Sequence, residues 1–237
     1  MSSIVSTTLP VRSISEGERD RMYSLMEADY LGIDRSSFER DLHEKSEVMI
    51  LREGGAGLIV GFSTLMVSHL QAGDHPVKVI FSGDTIVKSE YRHTPGLGVE
   101  LGKYFRFILK RFPETPVFWI LTSKGCRTYC LLPLLFREFF PRWDAPTPPL
   151  PAEVMDLFGV RKHPGEYDPA TRVIHHRGSS QRLRPGVADA DERRLRNPHV
   201  RFFVQANPDH LKGDDLVCVA EVNEENFSRR FLRMLEQ

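Results

Sequence analysis

The chain has 237 residues, enough for one large domain or a domain with an appendage. Apolar residues make up 41% and charged residues 27%, and lysine plus arginine equals aspartate plus glutamate at 32 each. A zero formal charge argues against a dedicated nucleic-acid binder, which needs a basic surplus to neutralise phosphates, so no nucleic-acid partner is expected. The opening MSSIVSTTLPVRSIS lacks the basic start and apolar run of a signal peptide, and no apolar stretch approaches the roughly 20 residues that cross a bilayer. The expectation is therefore a cytoplasmic protein without a membrane partner. Its three cysteines, Cys126, Cys130 and Cys218, read as reduced thiols. Cys126 and Cys130 would share a helix face, but no further ligand is spaced to complete a site with them, so no metal is expected.

Met22, Leu25, Met26 and Tyr30 recur at near-helical spacing after Ser15 and an acidic first turn, which predicts a helix from residue 16 to about 31, stopped at Gly32. A second short helix begins at Ser36–Glu39. The period then changes. Val48–Leu51 predicts a short strand, a Gly-rich turn follows, and Leu58–Leu70 predicts a long strand paired with it as a hairpin. Val77–Val87 is the next strand. Apolar residues on both of its faces, with Ile80 and Ile86 sharing one face with Asp84, predict a central position. After a loop over 89–98, Leu97, Leu101, Tyr104, Phe105, Ile108, Leu109 and Phe112 form a regular amphipathic stripe ended by Pro113. Val117–Leu121 predicts a buried strand, and 126–140 a helix that Pro133 should kink or shorten. The β-loop-α-β run implies neighbouring parallel strands joined by a right-handed crossover.

Residues 141–152 hold five prolines and read as a linker or wrapping arm. Beyond it the pattern predicts a short helix over 153–158, strands over 171–176, 200–204 and 216–222, and a closing helix over 224–235. The organisation expected is a domain over 1–140, a linker over 141–152, and an α/β extension over 153–237 that packs on the domain. Between Arg161 and Arg201 ten basic residues face five acidic ones, which reads as a solvated surface or as a rim that attracts anions.

The segment richest in chemistry runs from Phe81 to Phe112. A loop carrying Gly96 and Gly98 feeds straight into a helix, whose first turn has free N–H groups and the positive end of the dipole. Glycine at these two positions would let a phosphate approach the backbone, and a pyrophosphate is the natural guest. No Gly-x-Ser-x-Gly elbow, Walker loop, HExxH or CxxC is present, which removes the common hydrolase, NTPase and metalloprotease readings.

Ser89-Glu90-Tyr91-Arg92-His93-Thr94-Pro95-Gly96-Leu97-Gly98, set in this order of elements, resembles the acyl-CoA-binding loop of the GNAT acyltransferase superfamily, over about residues 10–140. The resemblance implies an α/β fold of the α+β mixed-sheet kind, with a central sheet flanked by helices. It implies acetyl-CoA or another acyl-CoA as co-substrate. Counting back from Gly96, the family's basic position falls on His93, while Arg92 suits the role better. Arg92, His93, Gly96, Leu97 and Gly98 are thus the expected pyrophosphate residues. By the same resemblance Thr85, Ile86 and Val87 would pair with the pantetheine arm, where the two parallel strands splay apart.

Transfer to an amine needs a base for the nucleophile and an acid for the departing thiolate. Asp84, among apolar neighbours on the central strand, would have its pKa raised by burial and suit the base role, or would be a hydrogen-bonded structural carboxylate. The family often uses a tyrosine as acid. Tyr129 lies on the right helix, two residues before the usual position, which Leu131 occupies; it reads as that acid or as packing on the sheet. Lys124 could pair with a carboxylate or phosphate, or cap a helix in solvent. His163, His175 and His176 read as surface histidines. The expected activity is transfer of an acyl group, acetyl first, to an amine on a small-molecule acceptor, from acyl-CoA or from acyl carrier protein. The alternative is a catalytically inactive GNAT-like binding protein.

Overall fold

The computed structural model describes residues 4–54, 57–178, 181–187 and 190–236. Strand β1 (Ile4–Pro10) leads into helix α1 (Glu16–Asp29), then β2 (Tyr30–Leu31), α2 (Arg35–Glu44), β3 (Glu47–Glu53), β4 (Ile59–Ala72) and β5 (His75–Val87). Helix α3 (Gly96–Arg111), strand β6 (Val117–Ser123) and the short helices α4 (Cys126–Tyr129) and α5 (Leu131–Leu135) follow. The rest of the chain forms α6 (Pro149–Lys162), β7 (Tyr167–Asp168), β8 (Val173–Ile174), β9 (Arg182–Leu183), α7 (Glu192–Leu195), α8 (Pro198–Ala206), β10 (Asp215–Glu221) and α9 (Arg229–Leu235).

Local chemistry explains most boundaries. Ser15 and Glu18 form a reciprocal capping box that starts α1, and Asp34 accepts from Ser37 N–H to start α2. The 126–140 segment breaks into α4 and α5 and leaves helical geometry at Phe136, as its internal proline foreshadows. Helix α6 begins at Pro149, inside the stretch read as a linker, because proline fits the first turn where no N–H is required. The expected strand over 200–204 is instead the helix α8. Asn197 accepts from His199 N–H, Pro198 takes the first turn, and Val200 and Phe203 turn inward one helical step apart. The closing helix starts at Arg229, capped by Ser228, rather than at Glu224. Strand β1, where the sequence pattern predicts no element, is the seven-residue run IVSTTLP, which pairs with β3 from Ile4↔Glu53 to Pro10↔Glu47 at the sheet edge.

Among the described residues, eight strands form one mixed sheet in the order β1-β3-β4-β5-β6-β10-β8-β7, and only β5–β6 is parallel. The region past residue 153 therefore extends the same sheet, with β10 antiparallel to β6. One face carries α3, α5, α8 and α9 over Ile80, Trp119, Leu121 and Cys218; the other carries α1 and α2 over Ile50 and Phe62, and α6 over Val79 and Phe81. Among the described residues, no helix is long and apolar enough to cross a membrane.

Helix α9 fastens the C-terminal segment to α3. A Cβ on Gly98 would sit 3.1 Å from Met234, and one on Gly102 would press into Leu235 and Phe231, so these two glycines make room for the helix. Phe231 is fully buried against Phe105, Phe136 and Phe227. Phe231→Ala is expected to cost about 3–5 kcal/mol of stability, read from the urea midpoint at unchanged slope.

Candidate functional site

The parallel pairing of β5 with β6 runs from Lys78↔Val117 to Ser82↔Leu121 and then stops, while both strands continue. Past that point β5 pairs only with β4, through Ser63↔Thr85 to Gly61↔Val87. The backbone edge of residues 83–87 that faces away from β4 is left without a strand. Between Ser63 and Leu65 the register slips, so that Gly83 and Asp84 together oppose Thr64 alone. This is a β-bulge, which bends a strand and redirects a side chain. It also reverses the alternation. Ile86 packs with Phe62 and Ile50, on the face opposite Ile80, which corrects the expectation that Ile80 and Ile86 share a face. Gly83 is required there, since a Cβ would lie 2.6 Å from Thr64 Oγ1 and 2.8 Å from Lys45 Cε.

The parted strands open a cleft of about 1610 Å³. One end is the start of α3. Pro95 precedes the helix and no side chain caps it, so its first-turn N–H groups have no intrahelical or capping partner. Gly98 lines the cleft, whereas Gly96 serves packing: a Cβ there would lie 2.5 Å from Leu51 Cδ1. Arg92 is occupied as a strut. Its Nε donates to Val87 O at 2.8 Å and its Nη2 to the Asp29 carboxylate at 2.6 and 2.7 Å. His93 is exposed at the rim, and Leu97, Leu131 and Leu134 give the middle of the cleft its apolar lining. Thr85 bonds Ser63 across the β4–β5 pair at 2.8 Å.

The other end is polar. Asp84 is half-buried there, and its carboxyl is pushed up to about 6, first by burial, then by Asp41, with Lys45 and Lys124 opposing and Asp215 adding. Lys45 is itself buried and paired with Asp41 at 2.6 Å. Lys124 pairs with the buried Asp215, which also bonds His176 Nε2 at 2.8 Å. His163, Glu166 and His176 line the same wall, and burial, then His176, push His163 down to about 4. Two histidines read as surface groups thus belong to the cleft, whereas His175 turns to Asp214 at 2.6 Å.

Tyr129 is not in the cleft. It is completely buried among Phe139, Phe202 and Phe203, and its hydroxyl donates to Pro141 O at 2.8 Å. The phenol that does line the cleft is Tyr30, at the end of α1. Its pKa is held well above the ordinary value by burial and then by Asp84, Asp215 and Asp29, so it stays a proton donor. Nothing in the local pattern distinguishes Tyr30 from a helix-face aromatic. Asp215 likewise sits inside an apolar strand run, and only the pairing of β10 with β6 brings it to Lys124.

No family model and no curated protein matches the sequence. Solved structures show a likeness. A probable N-acyltransferase of unknown function from Enterococcus faecalis V583 aligns over 58% of this chain and 33% of its own, at 10% identity and TM-score 0.44. ElaA of Escherichia coli aligns over 62% and 93%, at 14% identity and TM-score 0.38. YhbS of Escherichia coli, a GNAT family N-acetyltransferase solved with CoA, aligns over 52% and 64%, at 8% identity and TM-score 0.39. The alignment thus spans a third of the Enterococcus faecalis chain. Among the described residues the chain's own topology is a mixed sheet whose one parallel pair splays around a loop-helix, the layout that the sequence resemblance implies.

A carboxyl whose folded pKa lies above its unfolded value binds its proton more tightly when folded. Asp84 therefore costs no stability below pH 4, and an increasing amount as pH rises through 6. Asp84→Asn is expected to stabilise the protein on the order of 1–3 kcal/mol at pH 7.5 and to leave it unchanged at pH 4, compared by urea unfolding at the two pH values.

Proposed function

We propose that the protein is an acyl-CoA-dependent N-acyltransferase, with acetyl as the first donor to test and a small-molecule amine as acceptor. The observation that carries this reading is the joining, in one cleft, of an uncapped helix start at one end and a carboxyl of raised pKa at the other. A pyrophosphate at the start of α3 is stabilised by N–H groups and by the helix dipole. The pantetheine arm then runs between β5 and β6 along the strandless edge over Thr85, Ile86 and Val87, where Arg92 already holds the Val87 carbonyl, and delivers the thioester toward Asp84.

In the transfer, the Asp84 carboxylate takes a proton from the acceptor ammonium. The free amine attacks the thioester carbonyl, whose oxygen gathers charge beside backbone N–H groups of β5. The tetrahedral intermediate collapses with loss of the C–S bond. The thiolate takes its proton from Tyr30, and the nitrogen, positively charged after its attack, gives its second proton to the tyrosinate and restores the phenol; Tyr30 replaces Tyr129 in that role because it alone of the two lines the cleft. The groups facing Asp84 are Tyr30, Asp41, Lys45, Lys124 and Asp215. As a base it works only when ionised, so kcat/KM should fall as pH drops through about 6.

The second reading is a binding protein without turnover. It is favoured by Leu131, which stands at the position where the resemblance implies a tyrosine. The two separate cleanly. Titration calorimetry with acetyl-CoA is expected to give micromolar binding, weakened tenfold or more by Pro95→Asp, which sets a carboxylate at the helix start. Unchanged binding in that variant would remove the pyrophosphate from α3. Thiol release with an amine pool is expected to drop about 10²–10⁴-fold in Asp84→Asn while acetyl-CoA still binds. Tyr30→Phe should lower kcat more than it changes KM. Binding without any thiol release would leave the second reading standing.

A further inference from the structure

The wall opposite the helix start holds a three-residue cluster that the acyl-transfer scheme does not use. His163 caps the C-terminal end of α6, and Glu166 follows it across the turn Pro164-Gly165. His176 comes from the far side of the β7–β8 hairpin, fixed there by His175 N–H donating to Glu166 O at 2.9 Å. Glu166 Oε2 lies 3.9 Å from His163 Nδ1 and 3.8 Å from His176 Nδ1, and one ligand atom from each of the three residues falls within 4.8 Å of the other two. These separations are too long for hydrogen bonds. Donors about 2.1 Å from a tetrahedral ion stand about 3.4 Å apart, so a slight closure brings all three into bonding distance.

The outer side of the cluster is also built. Asp215 is buried and bonds His176 Nε2 at 2.8 Å. A carboxylate cannot donate, so the proton in that bond sits on Nε2, and the Nδ1 lone pair is left toward Glu166. A carboxylate behind a histidine ring is the usual support of a metal ligand, since it fixes the tautomer and the ring plane. Lys124 Nζ stands 3.2 Å from His176 Nε2, and the two donors both bond Asp215 rather than each other, so that carboxylate balances the lysine's charge. The rings of His163 and His176 stand nearly perpendicular, at 84°, with centroids 5.7 Å apart, so their nitrogens converge without the rings colliding.

We propose that His163 Nδ1, Glu166 Oε2 and His176 Nδ1 bind a divalent transition cation of the zinc class. Two imidazoles and one carboxylate form a borderline nitrogen-oxygen ligand set of the kind found in open zinc sites, where a fourth position is left for water or substrate. All three side chains line the cleft, which puts that position on the cleft side. The proposal stands whether or not the cleft transfers acyl groups, because it is read from metal binding alone.

The test is calorimetric titration of the full chain, freed of metal by chelation, with Zn²⁺, and with Co²⁺ followed by visible absorption. One equivalent is expected to bind with a Kd of about 10 µM or tighter, and Co²⁺ to give the intense absorption of a four- or five-coordinate ion. Glu166→Gln and His163→Ala should each weaken Zn²⁺ at least tenfold, and Asp215→Asn about tenfold through the ring it supports. His175→Ala, next to the cluster but paired with Asp214, should leave binding unchanged. If His163→Ala fails to fold by circular dichroism, Glu166→Gln decides. Absence of binding at 100 µM Zn²⁺, or binding that Glu166→Gln does not weaken, would overturn the proposal.

Discussion

The site depends on the parting of β5 from β6 beyond Ser82 and Leu121. A parallel pair must be joined by a crossover, and here the crossover is α3, whose start lies where the strands separate. Had the ladder continued to Val87, the cleft would be closed by backbone hydrogen bonds. The bulge at Gly83–Asp84 belongs to the same feature. It increases the local bend, it turns Asp84 toward the opening, and it fixes residue 83 as glycine through contact with Thr64 and Lys45.

Charge at the polar end is arranged so that one carboxyl is left poised while its neighbours are paired. Lys45 is buried on Asp41, and Lys124 on Asp215. A buried ion pair is costly to desolvate and gains its keep only with good geometry and further hydrogen bonds, which Asp215 has in His176. Asp84 lies among these pairs with net opposition to its ionisation, because desolvation and the other carboxylates outweigh the two lysines. The same surroundings keep the Tyr30 phenol protonated. A raised carboxyl and a raised phenol in one cleft would supply the proposed transfer with a base and an acid, set by environment rather than by residue type alone.

The C-terminal region is part of the machinery of this cleft. Strand β10 supplies Asp215, the β7–β8 hairpin supplies Glu166 and His176, and α9 supplies Arg230 and Met234 to the helix end. Glycines 98 and 102 exist in α3 at a cost to helix propensity, and the close approach of α9 is the physical return. This changes the meaning of the Gly-x-Gly signal. The pattern that reads as room for a phosphate is also room for a leucine of β3 and a methionine of α9.

Periodicity and capping determined much from the sequence alone: α1 with its Ser15 cap, the β3–β4–β5 run, the stripe of α3 and the strand β6. These are local signals, written in spacing and in turn residues. The helix start that faces the cleft was legible for the same reason, and so was the raised pKa of Asp84, although the bulge that turns it toward charged neighbours was not. The tertiary structure decided the rest. Tyr129 packs α4 against α8 and Tyr30 reaches the cleft from the end of α1, neither of which a lone aromatic encodes. Segment 200–204 has the composition of a strand and becomes a helix because Asn197 and Pro198 start it and a core receives Val200 and Phe203. His163, Glu166, His176 and Asp215 meet only because a hairpin and an inserted strand bring residues distant in sequence to one wall, and no spacing along the chain records contacts made across a sheet.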